Sequence, residues 1–259
     1  MKIQLRKVDE EKGIMQLTTL DERWYFEEVL NKKEKKTEIT FYPSSSWICG
    51  FYPKGVAFYK WLAEKGWDEA ETIKKSAGDK GSKVHKAIED LIKGKEVSIN
   101  DKYYNETLDC EEELTPEEWI CLMSFAKWVN DVKPKFILTE QSAINKKIGY
   151  GGTIDCVCDI NGQIYLIDFK TSQYIWKEYE LQISSYKELL PYIDKTKDID
   201  LSVVKLAILQ VGYNRNKNEY KFTEIDDKFD LFLNAKAIWN EEVSNKEPKQ
   251  RDFPLKIKL

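Results

Sequence analysis

A chain of 259 residues that is 42% hydrophobic, with eight Trp, fourteen Tyr and eleven Phe, has ample material for one large or two small packed cores, which argues against a disordered protein. A net charge of −4 and a pI near 5.4 argue against a polyanion binder that works through overall positive charge. They leave room for a protein whose basic residues are local and whose carboxylates are offset by a metal ion.

Taken in chain order, residues 1–95 are expected to form a mainly helical region. Met1 to Glu11 turns acidic before any apolar run develops, so no signal peptide is read there, and no stretch has the length and apolarity of a membrane span. The basic cluster Asn31 to Lys36 reads as a solvated loop, and Tyr42-Pro43-Ser44-Ser45-Ser46-Trp47 as a turn entering a short helix. Gly55 to Lys65 carries Phe58, Tyr59, Trp61 and Leu62 at helical spacing, which predicts a core-facing stripe rather than a base-stacking platform. Asp68 to Lys93 is expected to be helical with an interruption around Gly78 and Gly81, and Gly94 ends it. Residues 96–114 are polar and read as a loop or lid.

A core over residues 115–245 follows. Thr115-Pro116-Glu117-Glu118 is a capping box with proline at the first helical position, and Trp119, Leu122, Met123, Ala126 and Val129 predict the buried face of its helix. Strands are predicted over 135–145, 149–159 and 163–169, a helix over 178–190, strands over 201–213 and 220–223, and a helix over 226–243, leaving 246–259 as a tail. The expected fold is α/β (α+β), a central mixed sheet flanked by helices, within a single domain spanning 1–259.

The chemistry concentrates in Ile164 to Lys170. Asp168 and Lys170, two apart on a strand, project from the same face. Asp155, in Tyr150-Gly151-Gly152-Thr153-Ile154-Asp155, is joined to that strand across the hairpin signal Asn161-Gly162. Two carboxylates beside one lysine provide the oxygen ligands that Mg²⁺ or Mn²⁺ requires and a group able to orient or deprotonate an attacking water. The single histidine, His85, sits beside the apolar face marked by Val84, Ala87 and Ile88, where its ring can turn toward the sheet and add a nitrogen ligand. Five cysteines, Cys49, Cys110, Cys121, Cys156 and Cys158, read as reduced cytoplasmic thiols, Cys156 and Cys158 as small buried hydrophobes.

Gly81-x-x-x-His85, Gly152-Thr153-Ile154-Asp155, Asp168-Phe169-Lys170 and Gln182-Ile183-Ser184-Ser185-Tyr186, in this order, resemble the motifs of RecB-type nucleases of the PD-(D/E)xK superfamily. The resemblance runs from about Ser44 to Tyr213 and is specific between His85 and Tyr186. It implies a restriction-endonuclease-like core in which His85, Asp155, Asp168 and the main-chain carbonyl of Phe169 hold the metal and Lys170 positions the attacking water. Gln182 and Tyr186, on one helix face, would steady the site or a DNA phosphate. Glu140 is a fifth candidate, because similar nucleases often carry an acid on that strand; a half-exposed strand carboxylate is the alternative. Relatives with an iron–sulfur cluster hold it with clustered C-terminal cysteines, and no cysteine follows Cys158, so no cluster is expected. There is no P-loop, so a motor would be a separate helicase or recombination protein.

These features predict a Mg²⁺- or Mn²⁺-dependent deoxyribonuclease, an exonuclease acting on single-stranded ends in recombination, repair or phage DNA processing. The alternatives are a non-catalytic single-stranded nucleic-acid-binding protein and a restriction-type endonuclease. No membrane partner is expected.

Overall fold

The computed structural model describes residues 4–9, 13–19, 22–31, 36–214, 219–243 and 247–249. At its centre β7 (Lys135–Asn145), β8 (Tyr150–Ile160) and β9 (Gln163–Lys170) form an antiparallel meander. Asn161 and Gly162, with φ of 53° and 87°, make the two-residue turn that joins β8 to β9, the doubly left-handed conformation their side chains tolerate. A parallel neighbour needs a crossover, and α5 (Lys177–Lys187) supplies it before β10 (Lys205–Asn214) pairs with β9. β11 (Glu219–Ile225) adds antiparallel to β10, giving the order β11-β10-β9-β8-β7 in a mixed sheet.

Helices cover both faces. α3 (Trp67–Ile92) and α4 (Pro116–Val132) bury Val84, Ala87, Ile88, Leu122, Phe125 and Trp128 against Cys156, Cys158, Ile167 and Phe169. α1 (Ser45–Cys49), α5 and α6 (Phe229–Glu242) bury Ile48, Leu181, Ile183 and Phe232 against Ile154, Val157 and Leu166. Each large side chain so enclosed contributes about 1.5–3 kcal/mol. The chain is thus mixed α/β, with a five-stranded mixed sheet and six α-helices among the described residues.

The N-terminal region differs most from expectation. Helix begins only at Ser45; before it β1 (Gln4–Asp9), β2 (Ile14–Thr18), β3 (Arg23–Asn31) and β4 (Lys36–Pro43) form an antiparallel sheet in sequence order. Trp24-Tyr25-Phe26 shows no polar alternation because both faces of β3 are covered. Trp24 meets Trp47 and Trp239 edge to face, with centroids 5.1 and 5.9 Å away, and Trp47 meets Trp239 at 5.2 Å, tying this sheet to α1 and α6. Tyr25, on the other face, points at the central sheet. Lys32 to Lys35 of the basic cluster lie outside the described residues, as do 246 and 250–259 of the expected tail.

Four smaller corrections follow from packing. α3 is one uninterrupted helix: Gly78 and Gly81 each cost about 1 kcal/mol relative to Ala, too little to break a helix seated by its buried C-terminal half. The expected core stripe of α2 (Val56–Lys65) is not core, since this helix buries no residue. Residues 96–114 are not irregular throughout. They contain a hairpin of β5 (Lys102–Asn105) and β6 (Cys110–Glu113), with Tyr103 buried beside α3 and buried Lys83 of α3 reaching Glu118 of α4 at 3.0 Å and Glu112 of β6 at 3.6 Å. On α4 the buried stripe is Cys121, Leu122, Phe125 and Trp128, so Met123 and Ala126 face solvent. The capping box at Thr115 and Glu118 is formed.

Candidate active site

One cleft of about 650 Å³ opens where β7, β8 and β9 meet α3, α5 and the N-terminal sheet, and His85, Glu140, Asp155, Asp168, Lys170, Gln182 and Tyr186 all line it. Between the pairs Thr139↔Cys156 and Gln141↔Ile154 the β7–β8 ladder skips Glu140 and Asp155, and Glu140 has a left-handed backbone, φ 46°. Ile154 and Val157 pack in one core while Cys156 and Cys158 pack in the other, so the alternation of β8 slips by one residue around Asp155. Such an irregularity re-aims side chains, and here it turns two carboxylates into the cleft. A non-glycine residue at positive φ carries a strain of order 1–3 kcal/mol, which the surrounding sheet must over-determine.

The carboxylate of Asp155 accepts the backbone N–H of Phe169 at 2.8 Å, which fixes β8 to the end of β9. His85 reaches across from α3: its Nε2 lies 2.9 Å from the Phe169 carbonyl oxygen, and its Nδ1 3.5 Å from Glu140 Oε1 and 3.6 Å from Asp155 Oδ2. Burial opposes the charged ring, but Asp155 and Glu140 outweigh it and hold the His85 pKa well above its ordinary value. The imidazolium therefore balances the carboxylates as a cation would; ligation would require the neutral ring. Asp155 is held below the carboxylate range against its burial, chiefly by His85, whereas burial pushes Glu140 up.

Asp168 is almost completely buried, and burial raises its pKa to about 7 against the pull of Lys170. Lys170 Nζ lies 2.6 Å from Asp168 Oδ2, donates to Gln182 Oε1 at 3.3 Å and sits 4.6 Å from the centroid of the Tyr179 ring. Burial would lower the lysine pKa, but Asp168 and Asp155 raise it, so Lys170 stays a proton-bearing cation. Gln182 Nε2 in turn donates to the Tyr186 hydroxyl at 2.7 Å, completing a relay from β9 to α5.

The donor set suits a hard divalent cation. One ligand atom each from His85, Glu140 and Asp155 lie within 4.8 Å of one another. Glu140 Oε1 and Asp168 Oδ2 are both buried without a hydrogen-bonding donor, the latter touching Lys170 only as an ion pair. Of the sequence-derived ligands, Asp168 belongs to the lysine rather than to this group of three, and the Phe169 carbonyl is engaged by His85. Glu140, the fifth candidate, is the one that completes the group.

Sequence reading missed the wall that Gln16, Arg23, Tyr25 and Ser44 to Ser46 add to the cleft. The Tyr25 hydroxyl accepts from Gln16 Nε2 at 2.8 Å and is 2.9 Å from Thr153 Oγ1, itself 2.7 Å from Ser142 Oγ. Gly151 and Gly152 make this wall possible: a Cβ on Gly151 would come within 2.7 Å of the Tyr25 side chain, and one on Gly152 within 2.7 Å of the Tyr186 ring. The signal was present in the double glycine, but its partners were not legible. No protein-family model matches the chain, and no curated protein matches its sequence. Among the described residues no helix is long and apolar enough to cross a membrane.

Proposed function

We propose that the chain is a divalent-metal-dependent phosphodiester hydrolase that cuts DNA, acting by preference on single-stranded ends. The observation that carries this reading is the convergence of three buried or half-buried carboxylates, Glu140, Asp155 and Asp168, with Lys170 and His85 in one cleft. Burying carboxylates costs several kcal/mol each, an expense that a non-catalytic binder of a polyanion has no use for. Mg²⁺ or Mn²⁺, which Asp155, Glu140 and His85 would hold, would supply Lewis-acid polarisation of phosphoryl oxygens and an activated nucleophile.

The remaining work falls to the chain. Lys170, held by Asp168 and Gln182, has a fixed direction from which its ammonium orients water or contacts a nonbridging phosphate oxygen. Tyr186 holds Gln182 and so the lysine. Arg23 lines the cleft and forms no ion pair among the described residues; its guanidinium suits a backbone phosphate.

The test uses end-labelled linear single-stranded and double-stranded DNA with Mg²⁺ or Mn²⁺ against EDTA. Cleavage is expected only with metal, and Asp168→Ala and Lys170→Ala are each expected to lower it about 100-fold or more with the fold retained. Equal turnover in EDTA, or a fully active Lys170→Ala protein, refutes the reading.

A further inference from the structure

The aromatic surface beside Lys170 has no role in the core. Tyr174 and Trp176 are 68% and 55% exposed, and their ring centroids are 6.2 Å apart. They stand on the segment 171–176 that leaves β9 directly after Lys170, so Tyr174 is at most about 14 Å of extended chain from the lysine.

That segment is pinned at both ends. Thr171 approaches Gly212 so closely that a Cβ there would meet the Thr171 carbonyl oxygen at 2.1 Å. Gln210 Nε2 donates to the Ser172 carbonyl at 3.0 Å, and Ser172 Oγ to the Tyr174 carbonyl at 2.9 Å. At the other end the Trp176 carbonyl accepts the Tyr179 N–H at 3.0 Å, and the Tyr179 ring is the one that Lys170 contacts. The backbone that carries the two exposed rings is therefore held in place within a few residues of the candidate catalytic lysine.

A second group of rings flanks them. Lys54 pairs with Glu178 in the first turn of α5 and lies 5.6 Å from the Phe58 ring centroid, which sets α2 beside that turn. Phe58 stands 5.7 Å from Tyr59 and 5.8 Å from Trp61 on this helix, none of whose residues is fully buried. Lys60 and Lys177, adjacent in sequence to Tyr59 and Trp176, are exposed cations, and Lys177 also pairs with Glu180 at 2.7 Å.

We propose that Tyr174 and Trp176, flanked by the rings of α2, form a stacking platform for the bases of an unpaired nucleic-acid strand whose backbone runs into the cleft. This rests on the phosphodiester-hydrolase reading of the cleft and names its substrate form. Paired bases in a duplex hide their faces against their neighbours, whereas an unpaired strand offers every π-face for stacking, with lysines serving its phosphates. A segment whose backbone is already held in place needs little ordering on binding, which favours affinity.

The experiment measures fluorescence anisotropy of a labelled oligodeoxythymidylate with Asp168→Asn protein in EDTA, so that binding is read without cleavage. Adding Tyr174→Ala or Trp176→Ala is expected to weaken binding about 5- to 150-fold each, and Trp176→Phe to restore most of it, while a duplex of equal length binds weakly throughout. Both side chains are mostly exposed, and unchanged circular dichroism and melting would show that the fold survives. If the alanine variants bind the oligonucleotide as the parent does, or the parent does not bind it, the platform is refuted. If Trp176→Ala instead alters the mass in solution at unchanged oligonucleotide affinity, the patch is a protein–protein surface and the proposal also falls. Metal-dependent hydrolysis by the unmutated chain is scored separately: aromatic-dependent binding without hydrolysis would sink the hydrolase reading and leave the platform standing.

Discussion

Gly152→Ala and Gly78→Ala add the same methyl group with opposite expected effects. At Gly152 the new Cβ would lie 2.7 Å from Tyr186 Cε1 and 2.9 Å from Leu189 Cδ1, both in the buried core under α5. Neither can swing into solvent, so the site is overpacked at a cost of about 1–3 kcal/mol. For a chain of this size that lowers Tm by about 2–12 °C. At Gly78, exposed on α3 with nothing within 4 Å of an added Cβ, the methyl group only removes backbone freedom from the unfolded chain. A gain of about 0.5–1 kcal/mol and a rise of about 1–4 °C are expected there. Displacing Tyr186 also disturbs Gln182 and through it Lys170, so metal-dependent cleavage should fall in Gly152→Ala and not in Gly78→Ala. Differential scanning fluorimetry and the cleavage assay read both. A Gly152→Ala protein as stable as its parent would refute the close packing of α5 on β8.

Native protein should expose one of its five thiols to an aromatic disulfide reagent, Cys110, and all five after unfolding in guanidinium; Cys49, whose thiol burial pushes up to about 12, should be among the silent ones. Glu89 is buried, which alone would raise its pKa, but Lys86 and Lys93, each at 2.5 Å, outweigh this and hold it below its ordinary value. A depressed carboxyl pKa stabilises above the unfolded value of about 4.3 and ceases to do so as pH falls through the folded value, so Glu89→Gln should cost about 0.2–1 kcal/mol at pH 7 and progressively less as the solution is acidified through that depressed value. A penalty independent of pH in denaturant titrations would contradict that assignment. Covalently closed single-stranded circles should survive conditions that degrade linear strands of the same sequence; equal rates would mean an open-cleft endonuclease.

The meander and the helices around it were legible because their signals are local. Asn161-Gly162 dictates a two-residue turn, Thr115-Pro116-Glu117-Glu118 dictates a helix start, and the same-face relation of Asp168 and Lys170 follows from strand periodicity. The N-terminal sheet was not legible. Trp24, Tyr25 and Phe26 are apolar in succession because α1 and α6 cover one face of β3 and the central sheet the other, a circumstance written nowhere within β3 itself. For the same reason the stripe on α2 looked like core: its spacing is helical, but the packing leaves Phe58, Trp61 and Leu62 only half-buried and Tyr59 exposed.

The sequence by itself determined which residue types could do the chemistry and their order along the chain, because turns, caps and strand parity act over a few residues. Only the tertiary structure decided how they meet. The slip of β8 around Asp155, the left-handed Glu140 opposite it, the approach of His85 from α3 and the closing wall of Arg23 and Tyr25 all join segments distant in sequence. Such contacts are fixed by packing and charge across the folded molecule, not by the propensity of any one segment.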